Sequence, residues 1–143
     1  MIFSAQQLFS DDQAITGSAD STNVIDLGVA GTPYGAAAPL KRDIGKGNKI
    51  PVLVQVTEAF NTLTSLTISI STGATTALGT TVISQVIPLA DLIVGKQISL
   101  DVLPNDITER YLGIEYAVTG TDPTLGKVTA GITMGNQTNF NGQ

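Results

Sequence analysis

The sequence predicts an all-β fold, a jelly-roll-like two-sheet β-sandwich of about seven or eight strands, carried by a single domain over residues 1–143. Three observations predict it. Apolar residues recur with a period of two rather than 3.6, in blocks short enough to be single strands. Those blocks are separated by Gly, Pro, Asn and Asp at the roughly 8–12 residue spacing of a sandwich. The length suits one continuous core.

Taken in order, a weak strand is expected around Asn23 to Leu27. The first clear one covers Val52 to Thr57, with Val52, Val54 and Val56 on one face and Leu53, Gln55 and Thr57 on the other. From Leu63 to Thr72, Leu66, Ile68 and Ile70 face inward, and Ser65, Thr67, Ser69 and Ser71 form a flat, uncharged outer face. A weaker strand over Thr80 to Ile87 ends at Pro88, which cannot donate to a ladder. Only Ala90 to Val94, between Pro88 and Gly95, has room for a helical turn. The strand from Lys96 to Leu103 buries Ile98, Leu100 and Val102 before the Pro104-Asn105-Asp106 turn. Leu112, Ile114, Tyr116 and Val118 then share an inward face, as do Val128, Ala130, Ile132 and Met134 on the last strand.

Two regions fall outside this pattern. Residues 28–48 (GVAGTPYGAAAPLKRDIGKGN) hold five Gly and two Pro, and so long a connection in a compact domain is usually functional or disordered. Lys41, Arg42, Lys46 and Lys49, offset by Asp43, make positions 41–49 carry +3 on a chain of net charge −5. That basic segment is either a solvated loop or a contact for an acidic surface. The termini are the second region. Residues 1–9 present Ile2, Phe3, Leu8 and Phe9, too apolar for a solvated tail, and read either as an extended arm lying on another surface or as the start of an edge strand. Residues 135–143 form an Asn-, Gln- and Gly-rich tail.

Composition excludes much chemistry. With no His and no Cys there is no imidazole base, thiolate nucleophile, disulfide, or imidazole or thiolate metal site. Net charge −5 argues against coating nucleic acid, which needs a dense basic face. No apolar run approaches the roughly 18–20 residues of a membrane helix, and Met1-Ile2-Phe3-Ser4-Ala5 lacks the basic region of a signal peptide. Gly45-Lys46-Gly47 lacks the Ser or Thr of a phosphate loop, and Val128 stands where that residue would follow Gly126-Lys127. Asn136-Gln137-Thr138 matches a glycosylation sequon with no secretory signal to go with it. Asp101, Asp106, Glu109 and Glu115 form the densest acidic group, but they alternate outward on strands or sit in a turn, without the D-x-D-x-D order of a calcium loop. Scattered tyrosines and no Trp offer no stacking platform for glycans or single strands. The expectation is a protein that is not an enzyme and uses no cofactor.

The segments resemble a known family in their joint order. Leu8-Phe9-Ser10-Asp11-Asp12-Gln13-Ala14-Ile15-Thr16, Ser21 to Gly28, Asp43-Ile44-Gly45-Lys46-Gly47, the Val52 to Val56 strand, Glu109-Arg110-Tyr111-Leu112 and Thr129-Ala130-Gly131-Ile132 are similar to the tailed-phage capsid cement proteins typified by a Bordetella podovirus. Gly113 departs from the pattern, where a longer, often basic residue is expected. The resemblance implies a jelly-roll-like sandwich on the outer surface of the phage head, made in the host cytoplasm. It implies a homodimer whose partner is the major capsid protein, with neither nucleic acid nor membrane contacted directly. Candidate contacts are Ile2, Phe3, Leu8, Phe9, Tyr34, Lys41, Arg42, Lys46 and Lys49. A tail-associated or receptor- or glycan-binding sandwich is the alternative.

Overall fold

The computed structural model describes residues 3–40 and 46–135. Among them are nine strands, β1 (Phe3–Ala14), β2 (Ala19–Asp20), β3 (Ile25–Asp26), β4 (Ile50–Glu58), β5 (Leu63–Gly73), β6 (Thr80–Pro88), β7 (Gln97–Val102), β8 (Tyr111–Gly120) and β9 (Lys127–Thr133). One antiparallel sheet has the order β1-β9-β4-β7, and the other the order β2-β8-β5-β6, with β3 also paired to β8. Because β2 and β3 are two pieces of one strand position, two four-position sheets face each other in the jelly-roll arrangement. No helix among the described residues is long and apolar enough to cross a membrane.

The inward faces are those the period-two pattern predicts. Val52, Val54 and Val56 of β4, Ile98, Leu100 and Val102 of β7, Leu66, Ile68 and Ile70 of β5, and Leu112, Ile114 and Tyr116 of β8 are all buried. Register lines them up, with Val52 opposite Leu100, Val54 opposite Ile98, Ile68 opposite Tyr116 and Ile70 opposite Ile114. Each fully buried aliphatic side chain contributes about 1.5–3 kcal/mol from area removed from water. Those layers hold the sandwich.

Four expectations are corrected. Residues 3–9 are not an arm, because β1 begins at Phe3 and pairs with β9 from Phe3 opposite Thr133 to Ala14 opposite Lys127. Three register irregularities along this ladder explain the lost alternation, and the one between Leu8 and Ser10 turns Phe9 into the core at 0% exposure. Ile2 lies outside the described residues, as do Lys41 and Arg42. Leu53, placed outward by the pattern, is buried in a row with Gly131 and Leu8. Gly131 makes that possible, since a Cβ there would lie 3.0 Å from Leu8 Cδ2 and 3.1 Å from Phe3 Cδ1. Met134 lies beyond the end of β9 and is 89% exposed. The helical turn falls at Leu89–Asp91 as a single 3-10 turn, with Leu92 buried just after it.

Beside β1 the two sheets are tied by polar groups. Ser10 Oγ donates to Gln13 Oε1 at 2.7 Å, so the buried Tyr116 hydroxyl, 2.9 Å away, donates to Ser10 Oγ. Gln13 Oε1 also accepts from the Thr22 N–H, its Nε2 donates to the Asp20 carbonyl, and the Phe9 carbonyl accepts from the Asn23 N–H. Burial is the larger influence on Tyr116 and pushes its hydroxyl well above the ordinary tyrosine value, despite the Ser10 bond acting the other way. The outer end of β1 is held by Asp12, which accepts from Thr57 Oγ1 at 2.7 Å and Lys127 Nζ at 2.9 Å. Those two bonds keep the Asp12 carboxyl below its usual range.

The seam yields an asymmetry that urea denaturation measures. Ser10→Ala strands a buried Tyr116 hydroxyl and is expected to cost about 1–3 kcal/mol, whereas Tyr116→Phe removes that hydroxyl and costs about 0.5–1.5 kcal/mol. Equal losses, or the reverse order, show that the hydroxyls do not carry the seam. Because the folded-state value of Tyr116 is raised, its contribution is whole below pH 10 and falls as pH rises above it, so stability of Tyr116→Phe declines less steeply above that point.

Candidate partner-binding surface

One end of the sandwich collects the features a docking surface needs. β1 starts there, β3, β7 and β9 finish there, and β4 and β8 begin there, as the pairings Phe3 with Thr133, Ile50 with Val102 and Asp26 with Tyr111 require. The connection from β3 to β4 leaves from this end and returns to it, so Phe3 and Lys49 lie at the same end, and Tyr34 and Lys46 belong to the connection that starts and finishes there.

The exit of the connection is clamped. Arg110 makes a bidentate pair with Asp26, Nε to Oδ1 and Nη2 to Oδ2 at 2.7 Å each, and its guanidinium lies 4.9 Å from the Tyr111 ring centroid. The hydrogen bond to Asp26 raises the Arg110 pKa further, so the guanidinium stays charged at any working pH. Asp26 Oδ1 also accepts from the Gly28 N–H, and the Arg110 carbonyl from the Leu27 N–H. Two segments that carry the family resemblance, 21–28 and 109–112, therefore meet at this clamp.

Beyond it the chain forms its own small closure. The Leu40 N–H donates to the Gly31 carbonyl, and within that loop the Ala36 N–H donates to the Pro33 carbonyl. Gly35 at φ +80° occupies the third position of the Pro33–Ala36 turn, the place where a type II turn requires a left-handed residue. Tyr34, second in the turn, is driven fully into solvent at 109% of its reference exposure. Val29 and Leu40 stand 77% and 61% exposed nearby in the chain, and Met134 projects from the same end. The return limb packs Gly47 on Pro104, where a Cβ would lie 3.1 Å from Pro104 Cγ.

At the loop root, Leu27, Ile50, Pro104 and Ile107 line an apolar pocket of about 340 Å³. Beside Pro104, Asn105 Oδ1 is buried and has no hydrogen-bond partner among the described residues. Lys46 is exposed, and the 70% exposed Lys49 side chain makes only a 3.9 Å pair with Asp101, a contact weak in water.

The predicted contacts thus divide. Tyr34, Lys46 and Lys49 are solvent-facing. Phe3 and Leu8 are half-buried over Gly131, and Phe9 is core and offers no surface, because the bulge before Ser10 rotates it inward. Sequence reasoning passed over Val29, Leu40, Met134 and the Arg110–Asp26 clamp. Exposed apolar residues inside the Gly- and Pro-rich segment were a usable signal, whereas a pairing across 84 positions leaves no local trace. Of the acidic residues, Glu115 accepts from Ser71, and Glu109 from Thr72.

Arg110→Ala is expected to speed amide exchange across residues 27–40 at least tenfold while leaving β4 and β5 unchanged, and Arg110→Lys to recover only part of the protection, since an ammonium cannot fork onto both carboxylate oxygens. Exchange indifferent to Arg110 would remove the clamp from the account.

In comparison with known proteins, the family model described as Bbp16 matches residues 9–132. No curated protein matches the chain.

Proposed function

The chain belongs to the Bbp16 family, a Bordetella phage protein family in keeping with a structural protein of the virion, and from this we propose that it is a capsid cement protein. In this reading it binds the outer surface of a tailed-phage head, clamps neighbouring major capsid proteins against expansion, and works as a pair of copies.

The observation that carries the reading is the loop end. A solvent-driven Tyr34, the exposed Val29 and Leu40, and the lysines at 46 and 49 all belong to the connection that Arg110 and Asp26 fasten at its exit, and the exposed Met134 follows the β9 end beside it. Aromatic and apolar anchors with a basic rim suit a protein partner of acidic surface. The area one loop buries is modest, so holding power comes from avidity: each additional contact is made at the high local concentration set by the first. An anchored root also lowers the entropy lost when the tip docks.

Cosedimentation of the purified protein with capsids lacking it tests this. Saturable binding at a fixed ratio to the major capsid protein is expected. Tyr34→Ala should weaken binding about tenfold, roughly 1.4 kcal/mol. Charge reversal at Lys41, Arg42 and Lys46 should weaken binding and flatten its dependence on salt. Removal of residues 1–9 is the wrong probe, since it takes Phe9 from the core. No binding to intact or expanded shells overturns the reading.

A further inference from the structure

We propose that the end of the sandwich opposite the long loop is a second docking surface, fitted to a segment of the major capsid protein that carries apolar side chains flanked by lysine or arginine. At this end β4 finishes and β5, β7 and β9 begin, as the pairings Glu58 with Lys127 and Leu63 with Gly120 require. Ile93, Val94 and Leu125 are exposed there. They stand on either side of the Phe60–Asn61 segment, because the Phe60 N–H donates to the Leu92 carbonyl while Asn61 Oδ1 accepts from the Thr124 and Leu125 N–H groups. One exposed apolar side chain needs no explanation, but three around a buried Phe60 make a patch.

The patch is held in shape before any contact. The Lys96 N–H donates to the Ile93 carbonyl at 3.1 Å, and Gly95 at φ +85° takes the third position of that turn, leaving the exposed Val94 second. Tyr34 is presented in the same way at the other end, where Ala36 closes on Pro33 around Gly35. A Cβ at Gly126 would collide with the Phe60 ring, so glycine lets the β8–β9 connection close over Phe60 and keep Leu125 beside it. A surface fixed in advance loses little entropy when it docks.

Charge names the occupant. The exposed Asp91 and Asp122 and the half-buried Glu58 lie in these same segments against Lys96, since Lys127 is already paired with Asp12. Carboxylates around an apolar patch favour a basic segment, the reverse of what the lysine-bearing loop end favours. One copy is therefore fitted to two unlike patches, separated by the length of β4, nine residues or about 30 Å. Tying neighbours together needs two such contacts, because a protein held at one surface only decorates a shell. The basic loop of a second copy has suitable chemistry too, but a loop already seated on the shell is not free to fill this site.

This inference rests on the capsid reading above, and its test separates the two. A photo-crosslinking phenylalanine is placed at position 34 or at position 94 of the full chain, and the protein is irradiated after binding to capsids that lacked it. Position 94 is expected to capture a Lys- or Arg-bearing peptide of the major capsid protein, distinct from the peptide captured by position 34. Crosslinking from position 34 alone overturns this inference and leaves capsid binding standing, whereas failure to bind capsids at all overturns both. Capture of a second copy, or of an acidic capsid peptide, at position 94 also overturns it. Val94→Ser combined with Leu125→Ser should weaken cosedimentation at least tenfold with unchanged far-ultraviolet circular dichroism. Asp91→Lys combined with Asp122→Lys should weaken it and flatten its dependence on salt. Binding indifferent to all four substitutions overturns the proposal.

Discussion

The rest of the molecule depends on how β1 is fastened. Apolar layers hold the two sheets face to face, but burial is not directional and would tolerate a sliding edge strand. The Tyr116 hydroxyl reaches from the β8 sheet to Ser10 in the other, and Gln13 continues the connection to Thr22 and Asp20. These bonds are unforgiving inside a core, since a buried donor without an acceptor costs more than the bond itself returns. With β1 fixed, Phe3 and Leu8 cover Gly131, β9 is held between β1 and β4, and the end from which the long connection leaves has a defined frame.

At that end, rigidity and reach are graded along the chain. The Arg110–Asp26 fork fixes the exit, the Leu40–Gly31 bond closes the tip, and the type II turn at Pro33–Ala36 aims Tyr34 outward. An aromatic ring offered in this way brings contact area at small entropic cost, as it has few rotatable bonds.

How legible all this was in the sequence follows from which interactions are local. The alternation in β4, β5, β7 and β8 reports a half-buried strand directly, and Tyr116 could be placed inward from its neighbours Leu112 and Ile114. β1 was obscured because its irregular register breaks the period of two, leaving Phe9 to look like part of an arm. Leu53 was misplaced because the outer cover that Gly131 permits comes from a strand distant in sequence. The Tyr34 loop was recognisable from its glycines and prolines, but its clamp was not, for Asp26 and Arg110 meet only once the fold exists. The family resemblance picked out both partners of that clamp without giving a reason for them; the geometry supplies it.

The environments of the three tyrosines have an optical consequence. With no tryptophan in the chain, ultraviolet emission comes from tyrosine alone, undistorted by transfer to indole. Tyr116 is sealed in the core, Tyr111 lies under a guanidinium, and Tyr34 stands wholly in solvent. A soluble quencher therefore reaches Tyr34 most readily and Tyr116 least, and any surface that covers the loop tip removes the most accessible signal first. The protein carries its own unlabelled reporter at the loop tip.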